Sequence, residues 1–168
     1  MFIDTHAHSY SEQFLDDQKG YFERAAAAGV NTILMPAIDS QTHKQMLDWE
    51  TAAPVTCISM MGLHPCTVKD DFEKELAILE QYFQQRRFIA VGETGLDFYW
   101  DMTYKDQQLE AFNRQMEWAI KYDIPVVIHS RSSTKECIDA VEKKGGRGLK
   151  GVFHCFGGSV EEAQAIND

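Results

Sequence analysis

Short apolar runs alternate with amphipathic stretches along the whole chain, and this alternation limits the fold more than any other feature. The runs fall at 2–5, 30–35, 55–61, 88–92, 125–129 and 150–154, each of strand length. Between them the apolar positions take helical spacing. Phe72, Leu76, Leu79 and Phe83 mark one helix face, and Leu109, Phe112, Met116, Ala119 and Ile120 mark another. Ser133 with Glu136, and Ser159 with Glu162, fit the S-x-x-E capping box, while Gly29 and Gly145 stand where helices are expected to end. Strand–helix alternation implies parallel strands joined by right-handed crossovers. The expectation is an α/β fold of the TIM (β/α)8 type, with about six of the eight β/α units present. A closed barrel typically takes about 250 residues. Residues 1–168 are therefore expected to be a single domain truncated before its last two units. An open doubly wound sheet is the rival arrangement.

The polar residues at the strand ends favour the barrel. His6 and His8 close the first run, Glu93 the fourth, His129 the fifth and His154 the sixth. All strand C-termini of a barrel meet on one rim, where its chemistry is built. In an extended segment residues i and i+2 face the same way, so His6 and His8 of Asp4-Thr5-His6-Ala7-His8 can reach one ion. Glu93 sits in Gly92-Glu93-Thr94-Gly95-Leu96-Asp97, whose glycines permit close backbone approach, and its two oxygens can bridge two cations. His129 and His154 each follow an apolar strand. A lone histidine there is more often a core residue than a ligand, but two at the same strand end in adjacent units reverse that reading. The pattern is that of a metal-dependent hydrolase, and the mixed nitrogen and oxygen donors suit Zn, Mn or Mg. His64 in Gly62-Leu63-His64-Pro65 reads as a phosphate donor or a support behind the ligands, and Arg131 in Ile128-His129-Ser130-Arg131 as a phosphate contact through its forked guanidinium, a structural role being the alternative for each. Phe98-Tyr99-Trp100 either stacks a base or packs the barrel mouth. His43, in the second helical stretch, reads as an ordinary surface or groove histidine.

Composition narrows the function classes. A net charge of −10 argues against a broad nucleic-acid-binding surface, although bound divalent cations would invert the sign locally. No apolar run approaches a transmembrane length, and the N-terminus opens directly on a strand, without the basic and apolar regions of a secretory signal. Cys57, Cys66, Cys137 and Cys155 form no C-x-x-C pair, so reduced thiols in the cytoplasm are expected.

Taken together, Phe2-Ile3-Asp4-Thr5-His6-Ala7-His8, Gly62-Leu63-His64-Pro65, Gly92-Glu93-Thr94-Gly95-Leu96-Asp97, Ile128-His129-Ser130-Arg131 and Phe153-His154-Cys155-Phe156 resemble the TatD family of metal-dependent deoxyribonucleases. The segments follow the family's order over nearly the whole chain. The resemblance implies one ion held by His6, His8 and Glu93, and a second held by Glu93, His129 and His154. It also implies a further Asp after an eighth strand, outside the 168 residues, so the catalytic set is expected to be incomplete here.

The function expected is a two-metal phosphodiesterase cleaving DNA, delivered as short or single-stranded ends. Glu93 and His64 are its candidate catalytic residues, and His64 and Arg131 would hold substrate. One alternative is ester or amide hydrolysis, such as removal of a D-amino acid from tRNA. Parallel assays on a DNA oligonucleotide and a mischarged tRNA separate the two. A non-catalytic metal-binding fragment is the alternative from another class, and metal-dependent turnover would exclude it.

Overall fold

The computed structural model describes residues 1–144 and 148–167. Six strands and six α-helices alternate: β1 Phe2–Asp4, α1 Gln18–Ala27, β2 Val30–Met35, α2 Ser40–Ala52, β3 Thr56–Ser59, α3 Phe72–Gln85, β4 Val91–Asp97, α4 Lys105–Tyr122, β5 Val126–Arg131, α5 Thr134–Lys143, β6 Gly151–Phe153 and α6 Val160–Asn167. Every strand pair is parallel, in the orders β1-β2-β3 and β4-β5-β6. The two halves join at a seam beyond β3. There Met61 N–H donates to the Ala90 carbonyl at 3.2 Å and Gly92 N–H to the Met61 carbonyl at 2.9 Å. Glycine is required at this seam, because a Cβ on Gly62 would stand 2.7 Å from the Gly92 carbonyl carbon. The described strands do not close into a barrel: β1 pairs only with β2, and β6 only with β5.

The core lies between the strands and the helices outside them. Helix α3 buries Phe72, Leu76, Leu79 and Phe83, the face its spacing predicts. Each such side chain contributes about 1.5–3 kcal/mol on leaving water. Helix α4 departs from expectation. Leu109 and Ile120 are exposed, and the buried face is Phe112, Met116, Trp118 and Ala119 with Gln108 and Gln115. The two glutamines are buried because they cap loop backbone: Gln115 Oε1 accepts from Leu63 N–H at 2.8 Å, and Gln108 Oε1 from Asp97 N–H at 2.9 Å.

Other local expectations separate in the same way. The box at Ser159 forms, with Glu162 N–H donating to Ser159 Oγ and Ser159 N–H to Glu162. At Ser133 it does not, because the Ser133 hydroxyl donates instead to the Leu96 carbonyl at 2.7 Å. Gly29 takes a φ of +83° just beyond α1, as a helix end requires, whereas Gly145 lies outside the described residues. Strand β4 runs 91–97, not 88–92. Phe88 instead enters the helix layer and packs on Phe83. Glu93 and His129 therefore sit inside their strands and do not close them. His43 is not a surface residue: it is 1% exposed and edge-on to Tyr82. No helix among the described residues is long and apolar enough to cross a membrane.

Candidate metal centre

Five of the six histidines, His6, His8, His64, His129 and His154, line one open pocket of about 600 Å³ with Glu93, Ser130, Arg131 and Cys155. Every residue proposed from sequence as a ligand or substrate contact is thus brought together. Gly95 helps to bring them there. Its φ is +133°, and a side chain at that position would collide with the His129 carbonyl on β5.

Glu93 is the hub of the pocket and is 2% exposed. Its Oε2 lies 3.0 Å from His6 Nε2, 3.4 Å from His8 Nε2 and 3.8 Å from His64 Nε2, and its Oε1 lies 3.1 Å from His129 Nδ1. Burial alone would push the carboxyl's pKa up, but the facing nitrogens of His129, His6 and His8, which take the proton in its place, outweigh burial and hold the group far below the usual carboxylate range. His154 joins differently. Its ring stacks face-on on His6, with centroids 3.4 Å apart, and it makes no side-chain hydrogen bond to Glu93 among the described residues.

The outer nitrogens decide what each ring presents to Glu93. The Tyr10 hydroxyl donates to the Pro36 carbonyl at 2.6 Å, so it accepts from His8 Nδ1–H at 3.1 Å. In its neutral form His8 then shows Glu93 a bare Nε2 lone pair. His129 Nε2 donates to Asp97 Oδ2 at 2.8 Å, so in the neutral ring the Nδ1 lone pair is aimed at Glu93, and only a bound proton or a metal ion makes that contact favourable. A lone pair facing a carboxylate oxygen at 3.1–3.4 Å is repulsive unless a proton or a metal ion stands between them. Metal–ligand bonds of about 2.0–2.2 Å place neighbouring ligand atoms roughly 3–3.5 Å apart. The donor set therefore fits a divalent cation in both chemistry and spacing.

His64 differs. Its Nδ1 accepts from Cys66 N–H at 3.2 Å, so the neutral ring carries its proton on Nε2 and points a donor into the pocket. Burial lowers its pKa to about 4, which keeps the ring neutral at ordinary pH. His129 is held above the ordinary histidine value: burial opposes its charge, but Glu93 and Asp97 outweigh burial. Two grouped donor sets stand out by mutual distances within 4.8 Å, namely His6, His8 and Glu93, and His64, Cys66 and His129. The Cys66 thiol is an unready ligand. It donates to Asp97 at 3.4 Å, and burial with that neighbouring charge raises its pKa to about 12.

Tyr10 and Asp97 carry roles that were not assigned from sequence, although the signal was present. Asp97 continues Glu93, Gly95, Asp97 and so shares a face of β4 with Glu93, while Tyr10 follows His6 and His8 at the same spacing in the segment beyond β1.

A parallel α/β scaffold with a buried carboxylate ringed by imidazoles is the arrangement of a metal-dependent hydrolase fold. The profile described as TatD related DNase matches residues 3–168, and the chain belongs to the TatD family. It is 32% identical over 164 residues to the "uncharacterized metal-dependent hydrolase YabD" of Bacillus subtilis, covering 98% of this chain and 64% of that protein. It is 29% identical over 155 residues to the "3'-5' ssDNA/RNA exonuclease TatD" of Erwinia tasmaniensis, covering 92% of this chain and 60% of that one. The crystal structure of YjjV, a TatD homologue from Escherichia coli, superposes with a TM-score of 0.89 at 31% identity, over 99% of this chain and 64% of that one. The chain thus spans less than two thirds of the length of these relatives.

Proposed function

We propose that this chain carries the metal-binding part of a two-metal phosphodiesterase that cleaves DNA, with single-stranded ends as substrate. One observation carries the reading: imidazole nitrogens meet Glu93 on both of its oxygens, His8 Nε2 at Oε2 and His129 Nδ1 at Oε1. A carboxylate met on both oxygens in this way supports a bridge between two cations. His6, His8 and Glu93 would hold one, and Glu93 with His129 and His154 the other. Mg, Mn or Zn suits these donors, and the bound ions would supply Lewis-acid stabilisation and a more acidic water. The residues of the chain do the remaining work. His64 donates its Nε2–H to a phosphate oxygen, and Arg131 on the rim adds a second anion contact. Asp97 and Tyr10 fix the orientation of the ligand rings.

Support for the substrate comes from relatives named as single-stranded DNA and RNA exonucleases. Relatives about half as long again, together with the exposed Phe2, Ile3 and Val152 on β1 and β6, support a parent (β/α)8 barrel of which this chain forms six units in one domain. The free thiols at Cys57, Cys66, Cys137 and Cys155 support a reducing, cytoplasmic setting.

Metal analysis of variants tests the centre. Glu93→Ala should lose most of the bound metal, because it removes the bridging ligand. His64→Ala should keep metal and lose cleavage of a single-stranded oligonucleotide by the parent protein. Full metal occupancy in the Glu93 variant would overturn the bridging role.

A further inference from the structure

Beside the metal pocket, Arg131 lies in a corner formed by two exposed aromatic rings. Its guanidinium carbon stands 4.1 Å from the Tyr99 ring centre and 5.0 Å from that of Trp100. The two rings are nearly perpendicular, at 85°, with centroids 4.8 Å apart. Phe98, the third aromatic of the segment, packs against the core instead, so Tyr99 and Trp100 are not needed to fill the mouth. They remain 57% and 66% exposed. Water contact on that much aromatic surface at the rim of a site is unfavourable unless something covers it.

Arg131 makes no ion pair or side-chain hydrogen bond among the described residues, although the chain carries ten more acidic than basic groups. The rings hold it by cation–π attraction through the guanidinium face, which leaves the N–H edge open to an anion. The corner is also rigid relative to the metal ligands. Asp97 Oδ1 accepts from Tyr99 N–H at 3.0 Å and from Trp100 N–H at 3.1 Å, while its Oδ2 holds His129. Phe98 N–H donates to the Arg131 carbonyl at 3.0 Å, tying the ends of β4 and β5 together.

We propose that Arg131, Tyr99 and Trp100 form a nucleotide subsite, in which an unpaired base of a single strand stacks on Trp100 while the adjoining phosphate meets Arg131. The proposal rests on the nucleic-acid reading above and specifies the form of substrate. A base inside a duplex has both faces covered, so the subsite selects unpaired nucleotides. Stacking on an aromatic side chain is tolerant of base identity and strengthens binding roughly ten- to hundredfold per base.

The test is Mg²⁺-supplemented binding of two labelled strands of equal length by fluorescence anisotropy, one a thymidine oligonucleotide and the other its abasic counterpart. The intact strand should bind roughly ten- to hundredfold more tightly. Trp100→Ala should abolish that ratio, Trp100→Phe should restore most of it, and Arg131→Ala should weaken both strands. Trp100 is the exposed tryptophan, Trp118 being buried and Trp49 half-buried, so the intact strand should also quench its emission. Equal affinity for the two strands, or a ratio unchanged in Trp100→Ala, overturns the subsite and leaves the nucleic-acid reading standing. Binding of neither strand overturns both.

Discussion

At the scale of single residues, the centre is set by the far sides of its ligands. Asp97 and Tyr10 bond to His129 and His8 on the nitrogen facing away from Glu93, and each decides which nitrogen of its neutral histidine carries the proton. Removing such a partner typically weakens metal binding 10–100-fold. Asp97→Asn and Tyr10→Phe should each show a loss of about that size in competition with a chromophoric chelator. Tyr10→Phe should also cost about 1–3 kcal/mol of stability, because it leaves the Pro36 carbonyl without its hydroxyl donor. His64 gives a pH dependence of definite sign. Its folded pKa, about 4, lies below the unfolded value of about 6.5, so in that interval only the unfolded chain takes up the proton. Metal-free protein should therefore lose stability as pH falls through the window. His43 and His154 are lowered by burial and act in the same direction. Urea unfolding at about pH 7 and about pH 5 should show a smaller difference for His64→Gln than for the wild type.

At the scale of elements, helix α4 offers a direct check on which face is inward. Phe112 is fully buried while Ile120 is 43% exposed. Phe112→Ala should cost about 3–5 kcal/mol, whereas Ile120→Ala should stay within about 0.5 kcal/mol, both by chemical denaturation. The sequence pattern placed both on one face, since Ile120 is one residue past Ala119 and apolarity alone does not mark the boundary of a buried stripe. Strand β4 was misplaced for a related reason. Phe88-Ile89-Ala90 has the apolar look of a strand, while Gly92-Glu93-Thr94-Gly95 has none, yet it is the second segment that forms the strand. A strand that carries the site spends its inward positions on polar groups and glycines, so the function hides the pattern. The residues that meet in the pocket were legible because histidine and glutamate following successive apolar runs have few structural uses. His43 was not, because a polar residue on a helix reads as exposed until the aromatic ring over it, Tyr82, is known.

At the scale of the whole molecule, the outer strands are the exposed element. Phe2 and Ile3 on β1 are 66% and 58% exposed, and Val152 on β6 is 56% exposed. Strand edges with apolar side chains recruit other strands. The 168-residue chain by itself should therefore self-associate, and Val152→Lys should shift its sedimentation toward monomer without altering metal content. A monodisperse monomer of the unmodified chain would contradict this.

The two oxygens of Asp97 have a further consequence. One anchors the Tyr99–Trp100 turn and the other orients His129. A ligand that tightens the turn and an ion that tightens the histidine thus draw on the same carboxylate. Such a linkage is reciprocal: each partner improves the other's affinity by the same factor. Lengthening the chain between Asp97 and Trp100 would loosen that joint, so natural variation in this loop is expected to begin only after Trp100.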